Sequence, residues 1–141
     1  MCQVISTNKG CLLEGRRFSL FECEFAQRAA MPDIVLTTIN ARYQHSALGL
    51  RYLWASLGDL QPRATLCEFT LSDRPIDIVQ KIIAVSPRIV GFGVYIWNVE
   101  PVTHVVRLLK ALRPDIIIIV GGPEVSFELD DPSQIVVQAA D

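Results

Sequence analysis

The stretch RIVGFGVYIWNVEPVTHVVRLLKALRPDIIIIVGGPEVS, residues 88–126, reads as strand, helix, strand. Arg88–Tyr95 is a short apolar run with two glycines in it. Val102, Val105, Val106 and Leu109 repeat at i, i+3, i+4 and i+7, which places them on one helical stripe. Asn98 is placed to cap that helix, and Pro101 falls in its first turn. Asp115–Val120 has nothing polar after its first residue, the pattern of a strand that is central or covered on both faces. Gly121–Gly122–Pro123 ends it. Two strands joined through a helix of this length lie parallel, with a right-handed crossover.

The alternation extends toward the N-terminus. Ala64–Thr70 is a strand nearer the sheet edge, because its apolar residues alternate with polar ones. Asp73 and Pro75 then supply a cap and an early helical proline, and Ile76, Val79, Ile82 and Ile83 carry the helix to a stop before Pro87. Before these, Asp33–Ile39 is a buried-type strand and Asn40–His45 a polar loop. Ser46 can cap a helix whose stripe is Leu50, Leu53, Trp54 and Leu57, and Gly58 stops it. Toward the C-terminus, Asp131 and Pro132 open a last short helix with Ile135, Val136 and Ala139. The order is β-α-β-α-β-α-β-α. It predicts a three-layer α/β/α domain over residues 31–141, with a parallel sheet in the flavodoxin-like order 2-1-3-4. A fifth strand would be due where the sequence ends, so the reading expects a piece of a longer protein.

Composition sets limits on function. Of 141 residues half are hydrophobic and a fifth charged, with a formal net charge of −2, so a folded core is expected. Neither basic runs nor basic stripes occur, which argues against nucleic acid and anionic membranes as partners. The longest apolar run, Ile116–Val120, is too short to cross a bilayer. Cys2, Cys11, Cys23 and Cys67 match no zinc or CxxC spacing. Reduced thiols in a cytoplasmic protein fit them best, with Cys67 a small buried hydrophobe. Residues 1–30 have mixed charge, no clear period and no signal-peptide pattern. They are expected to be a poorly ordered upstream extension, with one short helix over Phe18–Ala30 and Met31 as the natural start.

In an open α/β sheet the ligand crevice lies at the carboxyl ends of the strands. Gly91 and Gly93 bare one face of their strand, and Gly121 and Gly122 bare the tip of the next. Glycine inside a strand marks close approach of another group to the backbone. Together they make either a flat shelf for a large planar ligand or a site of close helix packing plus an ordinary turn.

These residues carry a resemblance. GGPEVS (Gly121–Ser126), RIVGFGVYIWN (Arg88–Asn98) and ARYQHSALGLRYL (Ala41–Leu53) resemble the N-terminal cobalamin-binding domain of the B12-binding radical SAM family, over all of 31–141 and none of 1–30. The resemblance implies cobalamin at the carboxyl edge of the sheet. It implies a downstream barrel of the same polypeptide that binds an iron–sulfur cluster and S-adenosylmethionine. The barrel's CxxxCxxC is absent here, so this chain alone is expected to be inactive and its parent to be an enzyme of methyltransferase or oxidoreductase type. Classical base-off cobalamin domains carry DxHxxG after the first strand and a GxSxL-like segment in the third. Here no Asp-x-His occurs, and Gly93 and Tyr95 stand at the serine and leucine positions. The radical SAM relatives commonly lack the histidine motif, which leaves the lower cobalt ligand open.

The resemblance thus nominates Asn40, Tyr43, His45, Gly91, Gly93, Tyr95, Trp97, Gly121, Gly122, Pro123 and Glu124 as cofactor-binding, with His45 a candidate cobalt ligand. Plainer roles stand beside these: capping or packing for His45, loop packing for the aromatics, a turn acid for Glu124. The alternative function is a cofactor-free docking or substrate-recognition domain of the same fold. A receiver domain would need an acidic cluster where Asn40 stands and an aspartate where Tyr95 stands. A dinucleotide fold would need GxGxxG after the first strand. A homodimer through an exposed sheet edge is a further expectation.

Overall fold

The computed structural model describes residues 6–7, 10–13, 16–18, 32–41, 46–126 and 135–141. The chain divides into two compact units, Met1–Met31 and Pro32–Asp141. In the first, β1 (Ser6–Thr7), β2 (Gly10–Leu13) and β3 (Arg16–Phe18) form an antiparallel sheet in that order. Phe18, where the sequence suggested a helix to begin, belongs to β3, and residues 19–30 lie outside the described residues.

The second unit is built on a parallel sheet of β4 (Ile34–Asn40), β5 (Ala64–Thr70), β6 (Ile89–Gly93) and β7 (Ile117–Gly121). Its order is β5-β4-β6-β7, the flavodoxin-like 2-1-3-4. The connections run through α1 (Leu48–Ala55) and a 3₁₀ turn (Gly58–Arg63), then α2 (Pro75–Ala84) and α3 (Val99–Leu112). After β7 come α4 (Pro123–Ser126) and α5 (Ile135–Ala139). Among the described residues no helix is long and apolar enough to cross a membrane.

Strand alternation divides the core between the two faces of the sheet. Val35, Ile39, Val90, Phe92, Val94 and Ile118 point to one side. There they pack with Ile78, Val79 and Ile82 of α2, with Val102, Val105, Val106 and Leu109 of α3, and with Val136 of α5. Ile34 and Leu36 point to the other side, where Ala47, Leu50 and Ala64 complete a smaller cluster flanked by Trp54, Leu57, Leu66 and Ile89. Among the described residues the helix of this second layer is α1, and it covers β4, β5 and part of β6. Ile117 and Ile119 of β7 therefore remain 48% and 54% exposed. The all-apolar run had suggested a strand covered on both faces. Among the described residues β7 is instead at the sheet edge and buried on one face only, because α1 is eight residues long and does not reach it.

The three expected helix caps are not used as caps. α1 starts after Ala47 with no side-chain cap, and Ser46 is exposed. α2 follows Arg74, with Pro75 in its first turn, while Asp73 accepts hydrogen bonds from Thr70 N–H (2.8 Å) and Thr70 Oγ1 (2.9 Å). Asn98 occupies the cap position of α3, but its side chain turns to the strand ends.

Candidate functional site

At the carboxyl end of the sheet, on the thinner face, the structure opens a cavity of about 360 Å³. The pairing register explains its floor. Leu36, Gly91 and Ile119 stand in one row across β4, β6 and β7, and Thr38, Gly93 and Gly121 in the next. All six point to the α1 side. With glycine at two positions of β6 and one of β7, the floor between Leu36 and Ile119 carries no side chain. Gly49, Leu50 and Leu53 of α1 form the opposite wall, and Tyr95, Gly122 and Pro123 stand at the rim.

The glycines play different parts. A Cβ on Gly91 would lie 3.1 Å from Leu36 Cδ2, and one on Gly93 would make ordinary contacts at 3.5 Å with Thr38 and the Tyr95 ring. A Cβ on Gly121 would meet nothing within 4 Å. Gly122 has φ +124°, and a Cβ there would lie 2.3 Å from the Val94 carbonyl oxygen and 2.9 Å from its nitrogen. The fold itself therefore requires glycine at 122 and not at 121. The open space over Gly121 belongs to the cavity.

The loop after β6 is held by Asn98, which is fully buried. Its Nδ2 donates to Ile39 O (3.0 Å), Gly93 O (3.1 Å) and Thr38 Oγ1 (3.2 Å), and its Oδ1 accepts from Tyr95 N–H (2.7 Å). Thr38 Oγ1 in turn donates to Gly93 O at 2.8 Å. The ends of β4 and β6 and the start of α3 are thus tied through one side chain. Tyr95 and Trp97, two residues apart on this loop, stack with ring centroids 4.8 Å apart and planes within 4°. The Trp97 indole N–H reaches Ile39 O at 3.3 Å.

On the other flank Glu68, near the end of β5, fastens the start of α1. Its Oε2 accepts from Asn40 Nδ2 (2.9 Å) and from Ala47 N–H (3.0 Å), and its Oε1 from Arg51 (2.8 Å). Burial pushes this carboxyl up, but those hydrogen bonds and the Arg51 charge outweigh it and hold the group below the ordinary 4.5. Glu68 takes over the role expected of Ser46, supplying an acceptor at the N-terminus of α1 from a neighbouring strand. Cys67 next to it is half-buried against the larger core, and burial pushes its thiol up, which disfavours the thiolate.

Of the sequence-nominated residues, Gly91, Gly93, Tyr95, Gly121, Gly122 and Pro123 come together around the cavity. Trp97 supports Tyr95 from behind. Glu124, in α4, does not line the cavity, and Asn40 faces Glu68. Tyr43 and His45 lie outside the described residues. Sequence reasoning missed Gly49, missed Leu36, Leu50, Leu53, Phe92 and Ile119, which read as core or strand positions, and missed the anchors Glu68, Thr38 and Asn98. The one available signal was Gly49, a glycine in the first turn of a helix, where it weakens helix propensity unless something needs the room.

Comparison with known proteins agrees with this geometry. The model of the B12 binding domain family matches residues 34–138, which run from β4 into α5 and include every described residue of the cavity. The fold is similar to that in the 1.5 Å crystal structure of a novel cobalamin-binding protein from Desulfitobacterium hafniense DCB-2. The TM-score is 0.51 at 21% sequence identity, covering 79% of this chain and 52% of that one, so the chain spans about half that protein's length. No curated protein matches the sequence. By the extent of the family match, the chain belongs to the B12-binding domain family.

Proposed function

We propose that Pro32–Asp141 is the cobalamin-binding module of a larger radical SAM iron–sulfur enzyme, holding the corrin at the carboxyl edge of the sheet. The observation that carries the cobalamin part is the glycine-floored cavity, and Gly121 above all. A strand-end glycine without a positive φ or a close neighbour has no structural reason to be glycine, and a closely approaching ligand supplies one. A cavity of about 360 Å³ would take one arm of a cobalamin. The corrin would then rest at the rim, beside Tyr95 and Pro123. The chain's residues bind and orient, and the cofactor supplies the reactive metal–carbon chemistry. The radical SAM part rests on the sequence resemblance of residues 41–53, 88–98 and 121–126 and on the lack of DxHxxG.

Visible-absorption titration of the full chain with hydroxocobalamin tests the binding. A saturable spectral shift is expected, and Gly121→Leu is expected to abolish it while keeping the far-UV circular dichroism of the native chain. No shift with the native chain would overturn cobalamin in favour of a docking domain of the same fold. The radical SAM context is tested by the reading frame that follows Asp141. CxxxCxxC is expected there, and a downstream domain without it would overturn that part alone.

A further inference from the structure

The helix α1 is fastened to the sheet along one side. At eight residues it is too short to be stable by itself, so its placement comes from what it is tied to. Two polar ties fix it, and both run to β5. At its N-terminal end Glu68 accepts from Ala47 N–H at 3.0 Å and from Arg51 at 2.8 Å. At its C-terminal end the Trp54 indole N–H donates to Ala64 O at 3.1 Å. Ala64 is the first residue of β5, and Glu68 lies about 13 Å further along the strand. Ala47 and Trp54 are about 10 Å apart along the helix, so strand and helix space the two ties alike. The buried apolar contacts lie on the same side, where Ala47 and Leu50 cluster with Ile34 and Leu36 of β4 and Ala64 of β5. Among the described residues no hydrogen bond joins α1 to β6 or β7, the strands whose glycines floor the cavity.

From this one-sided attachment, and resting on the cobalamin reading above, we infer that Glu68 and Trp54 are positioning residues for corrinoid binding. Neither lines the cavity. They act through α1, whose Gly49, Leu50 and Leu53 form the wall opposite the glycines. Two ties on one line fix the direction of the helix over the sheet, and with it the gap between that wall and the floor. A helix tied at one point pivots about that point, and the gap then varies. Binding weakens in proportion, because the ligand takes only the fraction of molecules in which the gap fits. Loss of either tie frees the pivot, so loss of the second adds little.

The experiment is a double-variant cycle on the full chain, read by visible-absorption titration with hydroxocobalamin and, separately, by urea unfolding. Trp54→Phe keeps an aromatic side chain and removes the indole N–H, and Glu68→Ala removes the other tie. Each is expected to raise the dissociation constant about three- to tenfold, as a fitting fraction of about a third to a tenth requires. The double variant is expected to bind about as well as the weaker single one. Residues this far apart with no shared partner otherwise act independently, and the double variant would then show the product of the two changes. Glu68→Gln, which keeps an acceptor for Ala47 N–H, is expected to stay within about twofold of the native chain. Where Glu68→Ala does not fold, Arg51→Ala, which removes one bond of that tie, takes its place in the cycle. A double variant at or beyond the product of the singles would overturn the inference and leave cobalamin binding in place. So would lowered urea midpoints with unchanged dissociation constants, the result of a merely structural role. Failure of the native chain to bind hydroxocobalamin would overturn the cobalamin reading and this inference with it.

Discussion

Gly121 and Gly122 are adjacent, identical in type and opposite in physical meaning. At Gly122 the positive φ and the 2.3 Å approach to the Val94 carbonyl leave no place for a side chain. Gly122→Ala is expected to cost about 2–4 kcal/mol, seen as a lower urea midpoint at an unchanged slope. At Gly121 nothing obstructs a methyl group. Gly121→Ala is expected to leave stability unchanged or to raise it by about 0.5–1 kcal/mol, while weakening cobalamin binding severalfold. A parallel loss of stability and binding in both variants would contradict the distinction. The sequence marks both glycines as a bare tip of the strand and cannot separate them. The separation depends on where the backbone turns from β7 into α4 and on how closely Val94 of the neighbouring strand passes, and neither is encoded within the pair.

At the scale of elements, strand and helix positions were legible because they follow from periodicity. The four strands and the α3 stripe of Val102, Val105, Val106 and Leu109 follow from apolar spacing, and the strand order is that of the flavodoxin-like fold to which the alternation points. The junctions were less legible. Ser46, Asp73 and Asn98 have the chemistry of helix caps, yet none caps, because a capping side chain competes with whatever acceptors or donors the tertiary fold brings nearby. Asn98 finds the end carbonyls of β4 and β6, groups more than fifty residues apart in one case, and the start of α1 finds Glu68 of β5. The coverage of β7 also depends on the reach of α1, which no pattern within Ile116–Val120 discloses. Asn98→Ala leaves the carbonyls of Ile39 and Gly93 without this donor in a buried site. It is expected to destabilise the domain by about 2–4 kcal/mol, with loss of the Tyr95–Trp97 geometry visible in near-UV circular dichroism. Retention of both signals would mean that Asn98 is an ordinary loop residue.

Over the whole second unit, the two faces of the sheet are held together differently. Among the described residues, three helices and sixteen buried residues secure one face, whereas the cavity face has one helix and five. That thinner layer leans on polar ties at its margin: Glu68 with Asn40, Arg51 and Ala47 N–H, and Arg63 with Asp33. Hydrogen bonding to Arg63 and its charge hold Asp33 below the usual aspartate value of 3.8, and the bonds described above hold Glu68 below 4.5. Thr70 N–H and Oγ1 do the same for Asp73. A carboxylate whose folded pKa is depressed stabilises the fold fully above its unfolded pKa and loses that contribution as pH falls through the folded value. Thermal stability should therefore be flat from about pH 8 to 5 and decline below about pH 4.5. The Asp33–Arg63 pair is largely exposed and adds little, so Glu68 should carry much of the decline on the cavity face. Glu68→Gln keeps an acceptor for Ala47 and gives up the charge. It is expected to be less stable by about 1–2 kcal/mol at pH 7 and to lose less on acidification than the native chain. Melting temperatures of both proteins measured from pH 7 to 3 decide the matter. Curves that stay parallel throughout would show that Glu68 does not couple the cavity layer to pH, and converging curves would show that it does.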